Sequence, residues 1–319
     1  MSKHKKQHFI PSSYLKAWCD PECPQKMTPY VWMFSFDGID VKRKAPENIF
    51  YETDMYTIKG AKGERNLILE HGLQQLETKF ARIRRTKLRK RIELTIEEQT
   101  FVCAFVSAAQ SRTKANREHW KKNWERPFKM MEDMMEWAKT ATPEEKRRAA
   151  SISPLSSRKN DKSLDCSQVK ELYENPLQKM LPVMISNLTP RLMKLSLAIL
   201  CTNSIPGFIT SDSPCVWYDP EAYKRPPFYR APALMDTTLE ITLPVSPKQT
   251  ILISHSDCSG YIDVHNGVVD ELNRRTRFHA DEYFIVNRNL KNDFWFDPGE
   301  EPDDSWEKIQ KETDTEHQI

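Results

Sequence analysis

LEITLPVSPKQTILISH, residues 239–255, contains two alternating, β-branched runs separated only by Pro247 and Lys248. Runs of this kind bounded by proline read as strands. Strands joined by so few residues must lie antiparallel, because a parallel crossover needs a dozen residues or more. The same grammar extends on both sides: LMKLSLAIL (192–200), GFITSD (207–212), VWY (216–218), YIDVH (261–265) and EYFIVN (282–287) are short strand-like runs split by Pro, Gly and Asn. Near the other end, YVWMFSF (30–36) stops at Asp37-Gly38, a hairpin dipeptide, and Ile39 to Val41 read as its return.

Between these regions the period changes to that of a helix. Leu69, Leu73, Leu76, Phe80 and Ile83 recur at steps of four, three, four and three and predict a helix over 64–91. Thr95-x-x-Glu98 is a capping box. It opens a second helix predicted to run to about 137, with an interruption at Pro127, since proline removes a donor and clashes with the preceding turn. Further helices are predicted at 167–188, broken near Pro176, and at 267–280. Helices first and strands later make an α+β protein, with an N-terminal long-helix hairpin or bundle packed on a mostly antiparallel sheet. The expected organisation is one domain over 1–296, a polar linker or insertion at 140–166, and an acidic, frayed tail at 297–319.

Composition narrows the class. Hydrophobic residues make up 39% and charged residues 29%, as in a globular protein with a polar surface. The best apolar run, LSLAILC at 195–201, is far short of the roughly 18–20 residues of a membrane span. The first residues carry basic side chains followed by Gln7, His8 and Pro11, which is not the apolar core of a signal peptide. Seven scattered cysteines fit reduced thiols in a cytoplasm better than a disulfide framework. The spacing Cys19-x-x-x-Cys23 lacks a second pair, and His4 with His8 would share a metal only on a helix that Pro11 disfavours.

Several polar residues stand where a core alone would not need them. Glu70, Gln74, Glu77, Ala81 and Arg84 form a stripe beside the apolar one. In the next helix Phe101, Phe105, Ala108 and Arg112 share a line, with Val102, Val106 and Gln110 next to it. A guanidinium that extends an apolar stripe needs a carboxylate or an anion, and antiparallel packing brings Glu70 and Glu77 within reach. Either a structural ion pair or a functional site meets that need. Asp212, in TSDSP, lies at a strand end, where it either caps a turn or projects into a site.

The positive charge is clustered. KFARIRRTKLRKR (79–91) has eight Lys/Arg in 13 residues, and 112–129 adds seven interleaved with Trp120 and Trp124. Basic surface with aromatics attracts phosphate backbones and stacks bases. The alternative is a solvated helix face balanced by Glu93, Glu97, Glu98, Glu118 and Glu125. On the first reading Arg84, Arg85, Lys87, Arg89, Lys114, Arg117, Trp120 and Lys121 bind substrate.

Together these landmarks resemble a bacterial and fungal family of uncharacterised proteins, domain of unknown function 4238. The residues that carry the likeness are His8, Pro11, Tyr14 and Leu15; Glu52, Asp54 and Tyr56; Glu70 and Glu77; Gln110 and Arg112; Thr210, Ser211, Asp212 and Pro214; Leu243 to Pro247; and Leu272 with Asn273. Here one residue separates Gln110 from Arg112, and Val245 replaces the more usual leucine. The resemblance covers about 7–287 and implies that His8 belongs to a whole-chain pattern, so the N-terminal segment packs into the domain beside other polar residues. It supplies no activity.

The expected function is a metal-dependent hydrolase of nucleic-acid or nucleotide phosphodiesters, suited to a toxin or phage-defence role. Its catalytic residues would be His8, Glu77, Gln110, Arg112 and Asp212. Glu77 and Asp212 would hold Mg²⁺ or Mn²⁺, His8 would move protons, and Arg112 would stabilise anionic charge. The alternatives are a non-catalytic nucleic-acid or protein-binding module and an enzyme acting on the glycosidic bond of a nucleotide. A homo-oligomer is compatible with each.

Overall fold

A computed structural model describes residues 6–59, 63–152 and 164–298. The helices are α1 (Ser12–Leu15), α2 (Ile68–Thr86), α3 (Ile96–Ser111), α4 (Lys114–Thr140), α5 (Pro143–Ile152), α6 (Cys166–Glu174), α7 (Pro176–Leu192) and α8 (Asn266–Phe278). The strands before the long helices are β1 (Lys6–His8), β2 (Val31–Ser35), β3 (Val41–Lys44), β4 (Tyr51–Thr53), β5 (Ile58–Lys59) and β6 (Arg65–Asn66). After them come β7 (Ser196–Cys201), β8 (Thr210–Ser211), β9 (Val216–Tyr218), β10 (Glu240–Ser246), β11 (Gln249–Ser254), β12 (Gly260–Asp263) and β13 (Tyr283–Val286).

The protein is α+β, with sheets that are mostly antiparallel. One sheet has the order β12-β7-β11-β10-β9, in which only β12 and β7 run parallel. A second, β3-β2-β13-β8, joins the early hairpin to the strand before the tail, and β1-β4 and β5-β6 form two small pairs. The chain therefore opens on strands, not on helices. The expected helix hairpin does not stand at the N-terminus, because residues 6–59 fold as strands and turns first.

α2 and α3 pack antiparallel. Lys87 pairs with Glu98 at 3.4 Å, the Phe80 and Phe105 rings stack at 3.7 Å, and Arg112 bonds Glu77, so partners descend one helix as they ascend the other. Leu73, Phe80 and Ile83 of the predicted stripe are buried, and Leu69 and Leu76 pack at its edge. The capping box forms: Glu98 N–H donates to Thr95 Oγ1 at 3.2 Å, and Thr95 N–H to Glu98 Oε2 at 2.9 Å. The expected single helix from 95 to 137 is two helices, however. The break falls at Arg112 and Thr113, where Thr113 turns extended and accepts from Asn116 N–H as a fresh N-cap, while Pro127 sits inside α4 without ending it. The expected linker at 140–166 contains α5 over its described part, and 153–163 lies outside the described residues, as does the expected tail from 299.

The largest apolar cluster draws on α2, α3, α7 and the five-stranded sheet, and also on Phe9, Ile10, Tyr14, Leu15 and Trp18. The N-terminal segment is thus a core element. Tyr14 Oη donates to Pro244 O at 2.5 Å and lies 2.8 Å from Thr210 Oγ1, and Trp18 Nε1 donates to Phe208 O at 2.8 Å. Pro244 is tolerated in a central strand because β9 pairs with β10 only over Glu240 to Thr242. Asn273, buried in α8, clamps the next stretch, accepting from Ile209 N–H and donating to Gly207 O, both at 2.9 Å. Gly207 has φ +83°, and a Cβ there would sit 2.0 Å from Pro247 O, so only glycine fits this crossing.

Candidate functional site: a buried arginine between two carboxylates

Arg112 is 1% exposed. Its Nη1 donates to Glu77 Oε1 at 2.7 Å, while Nε and Nη2 are buried with no hydrogen-bond partner among the described residues. Most buried polar groups find partners, so these two unmet guanidinium nitrogens are donors able to take an acceptor. Glu70 lies two turns before Glu77 on the same face of α2. Burial, reinforced by the Glu77 charge and opposed by Arg112, pushes its carboxyl up to about 7. Gln74 Nε2 donates to Glu70 Oε1 at 3.4 Å.

His8 comes to this cluster from β1. Burial lowers its imidazole from the usual 6.5, a hydrogen bond to the Glu47 backbone works the other way, and the Arg112 charge lowers it again. Its Nε2 is buried without a partner among the described residues. Strand pairing explains the placement: His8 lies opposite Tyr51, with ring centroids 5.6 Å apart, and Gln7 beside it is fully buried, donating to Thr57 Oγ1. Tyr56 closes the cluster, its hydroxyl donating to His8 O at 3.3 Å and pushed up by burial. An imidazole biased neutral, a carboxyl biased protonated and an anion-seeking guanidinium can together take, give and stabilise charge.

Asp212 stands apart from this set. Its Oδ1 accepts from Asp281 N–H at 2.8 Å, and its Oδ2 from Glu282 and Tyr283 N–H at 2.8 and 2.9 Å. Burial pushes the carboxyl up to about 6 against the pull of those three N–H groups. Asp212 is a backbone clamp, and it lines a cleft of about 500 Å³ at the start of α4 together with Lys114 and Arg117. Gln110 is half-buried at the end of α3, and its carbonyl accepts from Asn116 Nδ2. No group of three or more His, Cys, Asp or Glu side chains placed to hold a metal occurs among the described residues. Of the nearby carboxylates, Glu77 bonds Arg112 and Glu70 lies within its electrostatic reach.

The basic residues divide between two places. Arg84, Arg85 and Arg89 line a cleft of about 1030 Å³ at the end of α2. Lys114 and Arg117 line the smaller cleft, where Glu52 pairs with both and Asp281 and Glu118 add negative charge. Lys87 is engaged by Glu98, Trp120 packs against the core, and Lys121 lies 5.8 Å from the Tyr173 ring. The stripe of Glu70, Gln74 and Glu77 was legible in the sequence, and Glu70 and Tyr56 were landmarks of the family resemblance, but neither was among the expected catalytic residues, because their nearness to His8 and Arg112 depends on long-range packing.

An α+β scaffold whose N-terminal strand closes over a helix pair bearing two glutamates and a buried arginine is the class that fold and site define. The chain belongs to the family described as protein of unknown function (DUF4238), whose profile matches residues 6–289. No curated protein and no solved structure matches it. No helix among the described residues is long and apolar enough to cross a membrane.

Proposed function

We propose that the protein is a hydrolase of phosphodiester bonds in nucleotides or nucleic acid, acting at the cluster of His8, Glu70, Glu77 and Arg112. The observation that carries this reading is the pair of unmet, buried guanidinium nitrogens of Arg112, donors that a phosphoryl oxygen would satisfy. In the proposed step, water attacks phosphorus, its proton passes to His8 Nε2, and the leaving oxygen takes the proton of Glu70. One water is consumed, and the two side chains re-equilibrate through solvent. The lowered His8 and the raised Glu70 are poised in those states near neutral pH. Glu77 holds Arg112 in place, and its carboxylate is the oxygen donor of this cluster suited to Mg²⁺ or Mn²⁺. Asp212 supports the fold at residues 281–283 and is not asked to touch substrate. A toxin or phage-defence role accords with this chemistry.

The test is incubation of wild type, Glu70→Gln and Arg112→Lys with RNA, single- and double-stranded DNA and nucleotides, with Mg²⁺ or Mn²⁺ and with EDTA. Turnover that both substitutions abolish while folding is kept supports the reading. Release of free base in place of a phosphate ester would move the chemistry to the glycosidic bond. Turnover equal in all three proteins would remove the cluster from the chemistry, and retention without turnover would leave a binding module.

A further inference from the structure

The larger cleft has a different chemistry. Its walls come from the segment after α1, the end of α2, the loop after β7, the β10–β11 turn and the residues after β13. Among the described residues, seven Lys or Arg line it and no Asp or Glu does. Three of the seven are already engaged. Arg84 is tied to the carbonyls of Ser13, Tyr14 and Val245 at 2.8, 3.0 and 3.4 Å, Arg91 makes a two-pronged pair with Asp263, and Arg288 pairs with Glu22. The other four, Lys16, Arg85, Arg89 and Lys248, are exposed and make no side-chain hydrogen bond or ion pair among the described residues. Holding four like charges around one concavity costs self-repulsion, which a polyanion relieves.

Two further features narrow the ligand. No aromatic ring among the described residues lines the cleft, so these walls offer no platform for stacked bases. Asn287 Oδ1, in the same wall, is buried with no donor among the described residues. Phosphate oxygens cannot satisfy an acceptor, but a sugar hydroxyl can. Phosphates and 2′-hydroxyls, read without bases, are what double-stranded RNA presents to proteins.

We infer that this cleft binds the sugar–phosphate backbone of double-stranded RNA. The inference takes its substrate class from the phosphodiester reading above, but its geometry is independent of the Arg112 cluster. The experiment is fluorescence anisotropy of the full chain with a labelled RNA duplex of about 16 base pairs, a span read by shape and backbone, in EDTA and at several salt concentrations. Comparison ligands are the matching DNA duplex, single-stranded RNA and inorganic tripolyphosphate. Arg85→Glu/Arg89→Glu is expected to weaken the RNA duplex by about tenfold or more and to flatten the salt dependence, since two phosphate contacts are lost. Lys122→Glu/Arg126→Glu, on exposed α4, is expected to bind as wild type, and Asn287→Ala to erase the preference for RNA over DNA. Unchanged binding in Arg85→Glu/Arg89→Glu overturns the inference. So does equal affinity for DNA duplex, single-stranded RNA or tripolyphosphate. Binding without any turnover would sink the hydrolase and leave this site standing, and turnover of nucleotides with no duplex binding would do the reverse.

Discussion

Arg112 and Glu77 meet at 2.7 Å across the α2–α3 packing, and the arginine is 1% exposed while the glutamate side chain is 21% exposed. The pair is thus lopsided: a fully buried donor with two unpartnered guanidinium nitrogens leans on a carboxylate that still touches solvent. An ion pair built only for stability would satisfy both ends.

That asymmetry sets the first expectation. Glu77→Ala should destabilise the chain by about 3 kcal/mol, because it leaves a buried guanidinium unpaired. Glu77→Leu/Arg112→Met should recover most of that loss while abolishing turnover. Urea unfolding monitored by tryptophan fluorescence, run beside the activity panel, gives both readouts. A double variant as unstable as the single one would mean that the cluster is held by more than this pair.

Glu70 predicts a pH dependence. Its carboxyl holds a proton in the folded chain up to about 7, against an ordinary value of 4.5, so between those values the folded state binds more protons than the unfolded one. Stability contributed by this group is therefore present below pH 4.5 and lost as pH rises toward 7. Glu70→Gln should flatten that segment of a denaturation-midpoint profile, while wild-type activity should fall on the alkaline side, as a general acid requires. A profile of wild-type slope in the variant would exclude Glu70 as its source.

Asp212→Ala strips the acceptor from three backbone N–H groups at 281–283, and it should cost about 2 kcal/mol, water reaching part of that turn. Hydrogen exchange at Asp281, Glu282 and Tyr283 should accelerate. Activity per folded molecule should survive, in contrast with Arg112 variants. Loss of activity with unchanged exchange would return Asp212 to the chemistry.

Asn273→Leu leaves Gly207 O and Ile209 N–H buried and unpaired and should destabilise by about 3 kcal/mol. Because this clamp braces the wall of the basic cleft near Pro206, duplex RNA binding should weaken with it, whereas the Arg112 cluster, which shares no residue with that cleft, should keep its chemistry. Thermal melts and the anisotropy assay check the two halves separately.

Much of the architecture was written in local pattern. The stripe of Leu69, Leu73, Phe80 and Ile83, the Thr95–Glu98 box and the alternation on both sides of Pro247 each depend on residues a few positions apart, so one sequence determines them. The break at Arg112 carries no proline or glycine to announce it; it falls where Thr113 caps α4 by accepting from Asn116 N–H and where Arg112 reaches Glu77, a contact 35 residues away in the chain. The sequence by itself also determined that His8, Glu77 and Arg112 were worth watching, and that positive charge gathers in two runs. Tertiary structure alone decided that His8 and Arg112 share a cluster while Asp212 is spent on backbone N–H groups. It also decided that Arg85 and Arg89 line one cleft with Lys16 and Lys248. Those outcomes rest on long-range pairing, β1 with β4 and β8 with β13, and on burial, which sets whether a charge is free, paired or protonated. Neither quantity is visible in a window of neighbours.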